Sequence, residues 1–181
     1  ALTNGHYSYI NLIEKTQNFI YLNDFNNLVI PFKCNAVDLL SGKEFIFDKG
    51  SLAKALRASS SIPSVFSPVI NDKFLLVDGG VINNFPIDIA KNIGADIIIG
   101  VNVSPIQKKA SDIQNIFDVL TQSILLNGYE KRKENYDFAD IIISPPVSSN
   151  RTLDFSKNTI IDLYKKGNIS ANKNIDKLIE I

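Results

Sequence analysis

A carboxylate that ends an apolar run and is followed by two glycines stands where it has a chemical use, though alone it is only half of a catalytic machine. Asp78, in the segment KFLLVDGGVINNFP (Lys73 to Pro86), is such a group. Phe74, Leu75, Leu76 and Val77 read as a short buried strand. Gly79 and Gly80 let the backbone turn away abruptly, which leaves Asp78 at the carboxyl end of that strand, where the sites of open α/β sheets collect. An aspartate has a solution pKa of about 3.9, too low for a useful base unless desolvation raises it or the proton moves in concert with attack. Asp-Gly is also a common turn dipeptide, so a purely structural turn is the competing reading.

Other reactive residues are few. His6, near the start of the chain, is the one histidine, and any serine, histidine, aspartate triad would have to recruit it or take a histidine from sequence outside these residues. Cys34 is the one cysteine, which excludes an internal disulfide and a metal site built on several thiolates; its apolar surroundings read as those of a buried core thiol. Ser41, Ser51 and the run Ser59 to Ser61 lack the flanking glycines with which an elbow exposes a nucleophile. The 19 basic and 19 acidic side chains cancel, so nothing electrostatic recommends nucleic acid as a partner. No apolar run approaches the roughly 20 residues needed to cross a bilayer.

The elements that must hold Asp78 alternate along the chain. Tyr9 to Ile20 reads as a short helix, Leu28 to Val37 and Glu44 to Phe47 as strands, and Leu52 to Ser59 as a helix capped by Ser51. Pro63 and Pro68 fix a loop leading to the Asp78 strand. A helix from Pro86 to Ile93 ends at Gly94. Asp96 to Val103 reads as a strand covered on both faces. Ile113, Ile116, Phe117, Leu120 and Ile124 recur at helical spacing, as on a helix turned toward a core. Ala139 to Ser144 is a last strand before Pro145 and Pro146, and a final helix spans Ile160 to Leu178. This order predicts an α/β protein, a three-layer sandwich around a mixed, largely parallel central sheet, in one domain. Arg57 is expected to fix the loop through a salt bridge or carbonyl contact, and Ser59, Ser60 and Ser61 to satisfy helix-end and loop backbone. Asn83 and Asn84 are expected to shape the turn and cap the next helix; Asp38, Asp88 and Asp96 are expected to cap backbone amides.

Taken in order, PFKCNAVDLLSGKEFIF (Pro31 to Phe47), GSLAKALRASSSIPSVFSPV (Gly50 to Val69), VDGGVINNFP and IDIAKNIGADIIIGVNV (Ile87 to Val103) closely resemble the C-terminal half of the catalytic domain of bacterial patatin-like phospholipases. The resemblance covers residues 1 to 145 and the tail fits more loosely. It implies a lipid acyl hydrolase in which a serine and an aspartate act without histidine. Asp78 matches the aspartate, the proton acceptor, and Gly79 and Gly80 match its supporting turn. Ile62, Val65 and Phe66, on the loop before Asp78, are expected to line an acyl channel. The implied substrate is a lipid ester or phospholipid, with peripheral membrane contact, in the bacterial cytoplasm or cell envelope. No cofactor and no metal are expected.

The family's Gly-x-Ser-x-Gly elbow and glycine-rich oxyanion loop have no counterpart in these residues. The chain begins at Ala1 and contains no methionine, so it reads as an excised C-terminal portion of one catalytic domain (1–181) whose serine precedes it. The sheet edge next to the strand around Leu28 to Val37 is then expected to lie unpaired. A non-catalytic α/β interaction module that keeps the Asp-Gly-Gly turn structurally, and binds a partner through that edge, is the alternative. A mononucleotide-binding sheet is weaker, since no phosphate loop is present.

Overall fold

The computed structural model describes residues 24–104, 110–148 and 154–180. His6 and the helix expected from Tyr9 to Ile20 lie outside them. The chain divides into two compact units, Ala1–Asn83 and Asn84–Ile181.

The first unit is a sheet with one covering helix. Strands β1 (Cys34–Asp38), β2 (Lys43–Phe47), β3 (Val69–Asn71) and β4 (Phe74–Asp78) lie in the order β2-β1-β4-β3. All three pairings are antiparallel. This corrects the expected largely parallel sheet, and the links explain why. β1 returns as β2 through a turn at Leu39–Gly42, with Gly42 at φ 68°, and β3 returns as β4 through Asp72 at φ 53°. Turns this short can only join antiparallel strands. The expected free edge is also corrected: β1 is internal, paired with β2 on one side and β4 on the other. The regular strand starts at Cys34, so Leu28 to Lys33 approach it without sheet pairing.

Asp38 caps amides, as expected. Its carboxylate accepts from Ser41 Oγ at 2.7 Å, from Ser41 N at 3.1 Å and, across the sheet, from Leu75 N at 3.0 Å. These bonds, led by the Ser41 hydroxyl, hold its pKa below the ordinary carboxylate value. Helix α1 (Leu52–Ser59) starts at Ser51, whose side chain accepts from Lys54 N. Its Leu52, Ala55 and Ala58 share one core with Phe25, Ala36, Phe47 and Leu76. The alanines let the helix approach the sheet closely, and full burial of Leu76 contributes about 2 kcal/mol.

In the second unit, α2 (Ile87–Asn92) precedes Gly94 at φ 89°, the left-handed turn that ends it. Strands β5 (Ile99–Val101) and β6 (Ile141–Ile143) pair in parallel, as a crossover through α3 (Ile116–Asn127) and α4 (Tyr129–Tyr136) permits. Helices α5 (Lys157–Asn172) and α6 (Ile175–Glu180) follow, so the expected last helix is broken near Lys173. Phe85, Ile87 and Ile98 form the core, and a Cβ on Gly100 would stand 2.5 Å from Phe85 Cζ. Asn135 donates to Phe85 O at 2.7 Å, while Asp88 pairs with Lys131 at 2.8 Å. Three expectations fail here among the described residues. β5 spans three residues rather than eight, Ile99 and Val101 are half exposed rather than covered, and Ile116 on α3 is 76% exposed. Periodicity identifies an apolar face, but what covers it depends on packing.

Candidate active site

Asp78 is the last residue of β4 and sits opposite Ala36 of β1. Its N–H donates to Ser61 O at 3.0 Å, so the sheet end and the start of the loop after α1 are tied together. The chain then enters a 3₁₀ turn, Gly79–Val81, and Asp78 is its N-cap: Oδ1 accepts from Gly80 N at 2.7 Å. Among the described residues Oδ2 accepts no hydrogen bond. Asp78 is half-buried, and burial pushes its pKa above the ordinary carboxylate value; the Gly80 N–H opposes that shift.

Gly79 is required by close approach rather than by positive φ. A Cβ there would lie 2.4 Å from Asn35 Cγ, 2.5 Å from Asn35 Oδ1 and 2.6 Å from Asn35 O. Ile82 N and Asn83 N both donate to Gly79 O, at 3.1 and 2.9 Å, and close the turn behind it. Asn83, 1% exposed, reaches Glu44 Oε1 with its side-chain amide at 3.0 Å. Asn84 donates to Ser104 Oγ at 2.6 Å. Neither caps α2, whose N-cap is Pro86 with no side-chain hydrogen bond, so the capping expectation is corrected. The proline already fixes φ where a cap would stand.

Ile62, Val65 and Phe66 are half-buried on the loop between α1 and β3, where Val65 N and Phe66 N both bond Ile62 O. Arg57 fixes this loop as expected, and by carbonyl contact. The side chain, 4% exposed, donates to Ser67 O at 3.1 Å and to Ser61 Oγ, and its guanidinium lies 5.4 Å from the Phe66 ring centroid. Ser60 Oγ and Ser61 Oγ bond the carbonyls of Leu56 and Arg57, the helix-end role expected of them. Burial pushes the Cys34 thiol up to about 11, with a Ser59 hydrogen bond opposing, which suits an inert core thiol.

Sequence reading missed Asn35 and Glu44. The signal was present: Asn35 is a polar residue inside an otherwise apolar strand, and a buried amide needs partners. No group of three or more His, Cys, Asp or Glu that could hold a metal ion occurs among the described residues. Among the same residues, no helix is long and apolar enough to cross a membrane.

The family model described as patatin-like phospholipase matches residues 4–91. Patatin-like phospholipase domain-containing protein 7 of Mus musculus is 29% identical over 161 residues, an alignment covering 72% of this chain and 12% of that protein. An uncharacterized NTE family protein of Mycobacterium tuberculosis is 40% identical over 77 residues, covering 42% of this chain and 21% of that protein. A second from the same organism is 44% identical over 54 residues, covering 30% and 9%. The chain thus spans a small part of the length of the relatives it matches. Its homologues are patatin-like phospholipase and NTE family proteins, and the part of the chain that the family model matches, residues 4–91, includes Asp78 and its turn.

Proposed function

We propose, from the match of residues 4–91 to the patatin-like phospholipase family model, that this chain contributes the proton acceptor of a lipid acyl hydrolase and that Asp78 is that group. The observation that carries the reading is a half-buried carboxylate at the end of β4, with Oδ1 held by Gly80 N. Oδ2 takes the proton of a serine hydroxyl as the serine oxygen attacks the ester carbonyl carbon. The tetrahedral intermediate collapses, the C–O bond to the alcohol breaks, and the alcohol leaves with the proton from Asp78. Asp78 then takes a proton from water as water attacks the acyl-serine, and returns it to the serine oxygen as the acid departs. A pKa raised by burial suits this work, because a stronger base takes the proton more readily. The serine is supplied from sequence outside these residues, since none of its serines has elbow glycines. Ile62, Val65 and Phe66 would meet the acyl chain; the bond from Asp78 N to Ser61 O supports this, because it starts their loop at the carboxylate. Peripheral contact with a lipid surface fits such a substrate.

One observation favours a second reading. The Gly80 N–H bond to Asp78 would serve a non-catalytic turn equally well. Hydrolysis of a short-chain nitrophenyl ester separates the two. The 181 residues alone are expected to be inactive. A longer protein that includes a Gly-x-Ser-x-Gly segment is expected to be active and to lose about 10²- to 10⁴-fold on Asp78→Asn, the range of one general base. Full activity of Asp78→Asn, or robust hydrolysis by the 181 residues alone, would overturn the assignment.

A further inference from the structure

Asn35 occupies an unusual place for a polar side chain. It lies inside β1, 7% exposed, one residue before the Ala36 that pairs with Asp78. It therefore faces the point where the chain leaves β4, and Gly79 rests against its amide with no room for a Cβ. Asn35 Nδ2 donates to Glu44 Oε1 at 2.8 Å and to Asn83 O at 2.9 Å, which uses both of its protons. Asn83 Nδ2 donates to the same Glu44 oxygen at 3.0 Å, and Asn83 N bonds Gly79 O at 2.9 Å. The result is a closed set of hydrogen bonds around the turn. Gly79, at its start, is pressed against Asn35, and Asn83, just past its end, is hydrogen-bonded to Asn35; Glu44 anchors both amides. An apolar residue at position 35 would leave the buried Asn83 carbonyl without this donor. The sheet has its own apolar core in Ala36, Phe47 and Leu76, so the network is an addition at one place, next to the carboxylate.

We propose that Asn35, anchored by Glu44, is a positioning residue for Asp78: by clamping Gly79 and Asn83 it fixes the turn whose N-cap is Asp78 and so the direction of the carboxylate. This rests on Asp78 being the proton acceptor. Loosening the turn admits water to the carboxylate and weakens its bond from Gly80 N. Desolvation is the larger of the two influences on Asp78, so its pKa then falls toward the ordinary value.

The test reads the carboxylate directly in this chain, by carbon-13 NMR titration of the Asp78 carboxyl, with the signal assigned through Asp78→Asn. Asn35→Ala is expected to lower the Asp78 titration midpoint and to speed amide exchange at Asn83 about tenfold, the factor equivalent to one net hydrogen bond. Val69→Ala, on β3, is expected to lower overall stability and leave the Asp78 titration in place. An unmoved Asp78 midpoint in Asn35→Ala, or an equal shift in Val69→Ala, overturns the proposal. Should Asn35→Ala fail to fold, Asn35→Asp shifts the midpoint and adding Glu44→Gln, which reverses donor and acceptor, returns it part of the way; no return also overturns the proposal. The titration needs no catalysis. If Asp78 is only a turn residue, the ester assay fails while the titration still responds; if positioning fails, the ester assay still depends on Asp78.

Discussion

Gly79→Ala isolates the close approach that holds the Asp78 turn. Its Cβ would meet three atoms of Asn35 at 2.4 to 2.6 Å. Comfortable carbon contacts lie at about 3.5–4.0 Å, so the shortfall is about 1 Å or more. One of the three atoms is a backbone oxygen of a strand paired on both sides, which cannot retreat alone. The other two belong to an amide that can move only by leaving Glu44 and Asn83, at about 1 kcal/mol per hydrogen bond. Backbone shifts from overpacking add about 1–3 kcal/mol. A stiffer unfolded chain returns about 0.4–1 kcal/mol, so the net loss is about 2–4 kcal/mol. With a urea dependence of about 2 kcal/mol per M, the unfolding midpoint falls by about 1–2 M. Circular dichroism follows this transition, since the chain has no tryptophan. Gly167→Ala is the internal comparison: it lies within α5, where an added Cβ meets nothing within 4 Å. That substitution should stabilise its helix by about 0.5–1 kcal/mol. A Gly79→Ala midpoint equal to or above that of the unsubstituted chain would refute the packing argument, and with it the clamp on the turn.

Two further outcomes follow from the titrations. Because burial raises the folded pKa of Asp78, stability from this group is fully present below the unfolded value of about 4 and is lost as pH rises through the folded value. Asp78→Asn keeps an oxygen for Gly80 N and removes the buried charge, so at pH 7 it should unfold at a higher urea concentration than the parent; at pH 3 the gain should vanish, and a lower midpoint at pH 7 contradicts the burial argument. Cys34, raised to about 11, should react slowly with a thiol reagent at pH 8 in the folded chain and rapidly in urea, and stability should decline between pH 9 and about 11 in a way that Cys34→Ala abolishes.

The sequence by itself determined the local parts of this protein. Ser51 starts α1 by bonding an amide three residues on, Asp38 folds back on Ser41, Asp78 caps Gly80, and Gly94 ends α2. Each is a short-range bond or a backbone requirement, and so legible from neighbouring residues. Strand direction is legible in principle from the short links around Gly42 and Asp72, yet the apolar runs alone suggest a mixed, largely parallel sheet, because an apolar run looks alike in either kind of sheet. Only the tertiary structure decided which polar side chain meets which. Asn35 reaches Asn83 across 48 positions and Asn83 reaches Glu44 across 39. The sheet register that joins them, with Ala36 opposite Asp78, is set by pairing through space, and no local pattern encodes it. The same holds for burial, which raises the pKa of Asp78: water is removed by the whole of the surrounding fold, so a carboxylate legible in sequence as a turn residue gains its strength as a base only from what is packed around it.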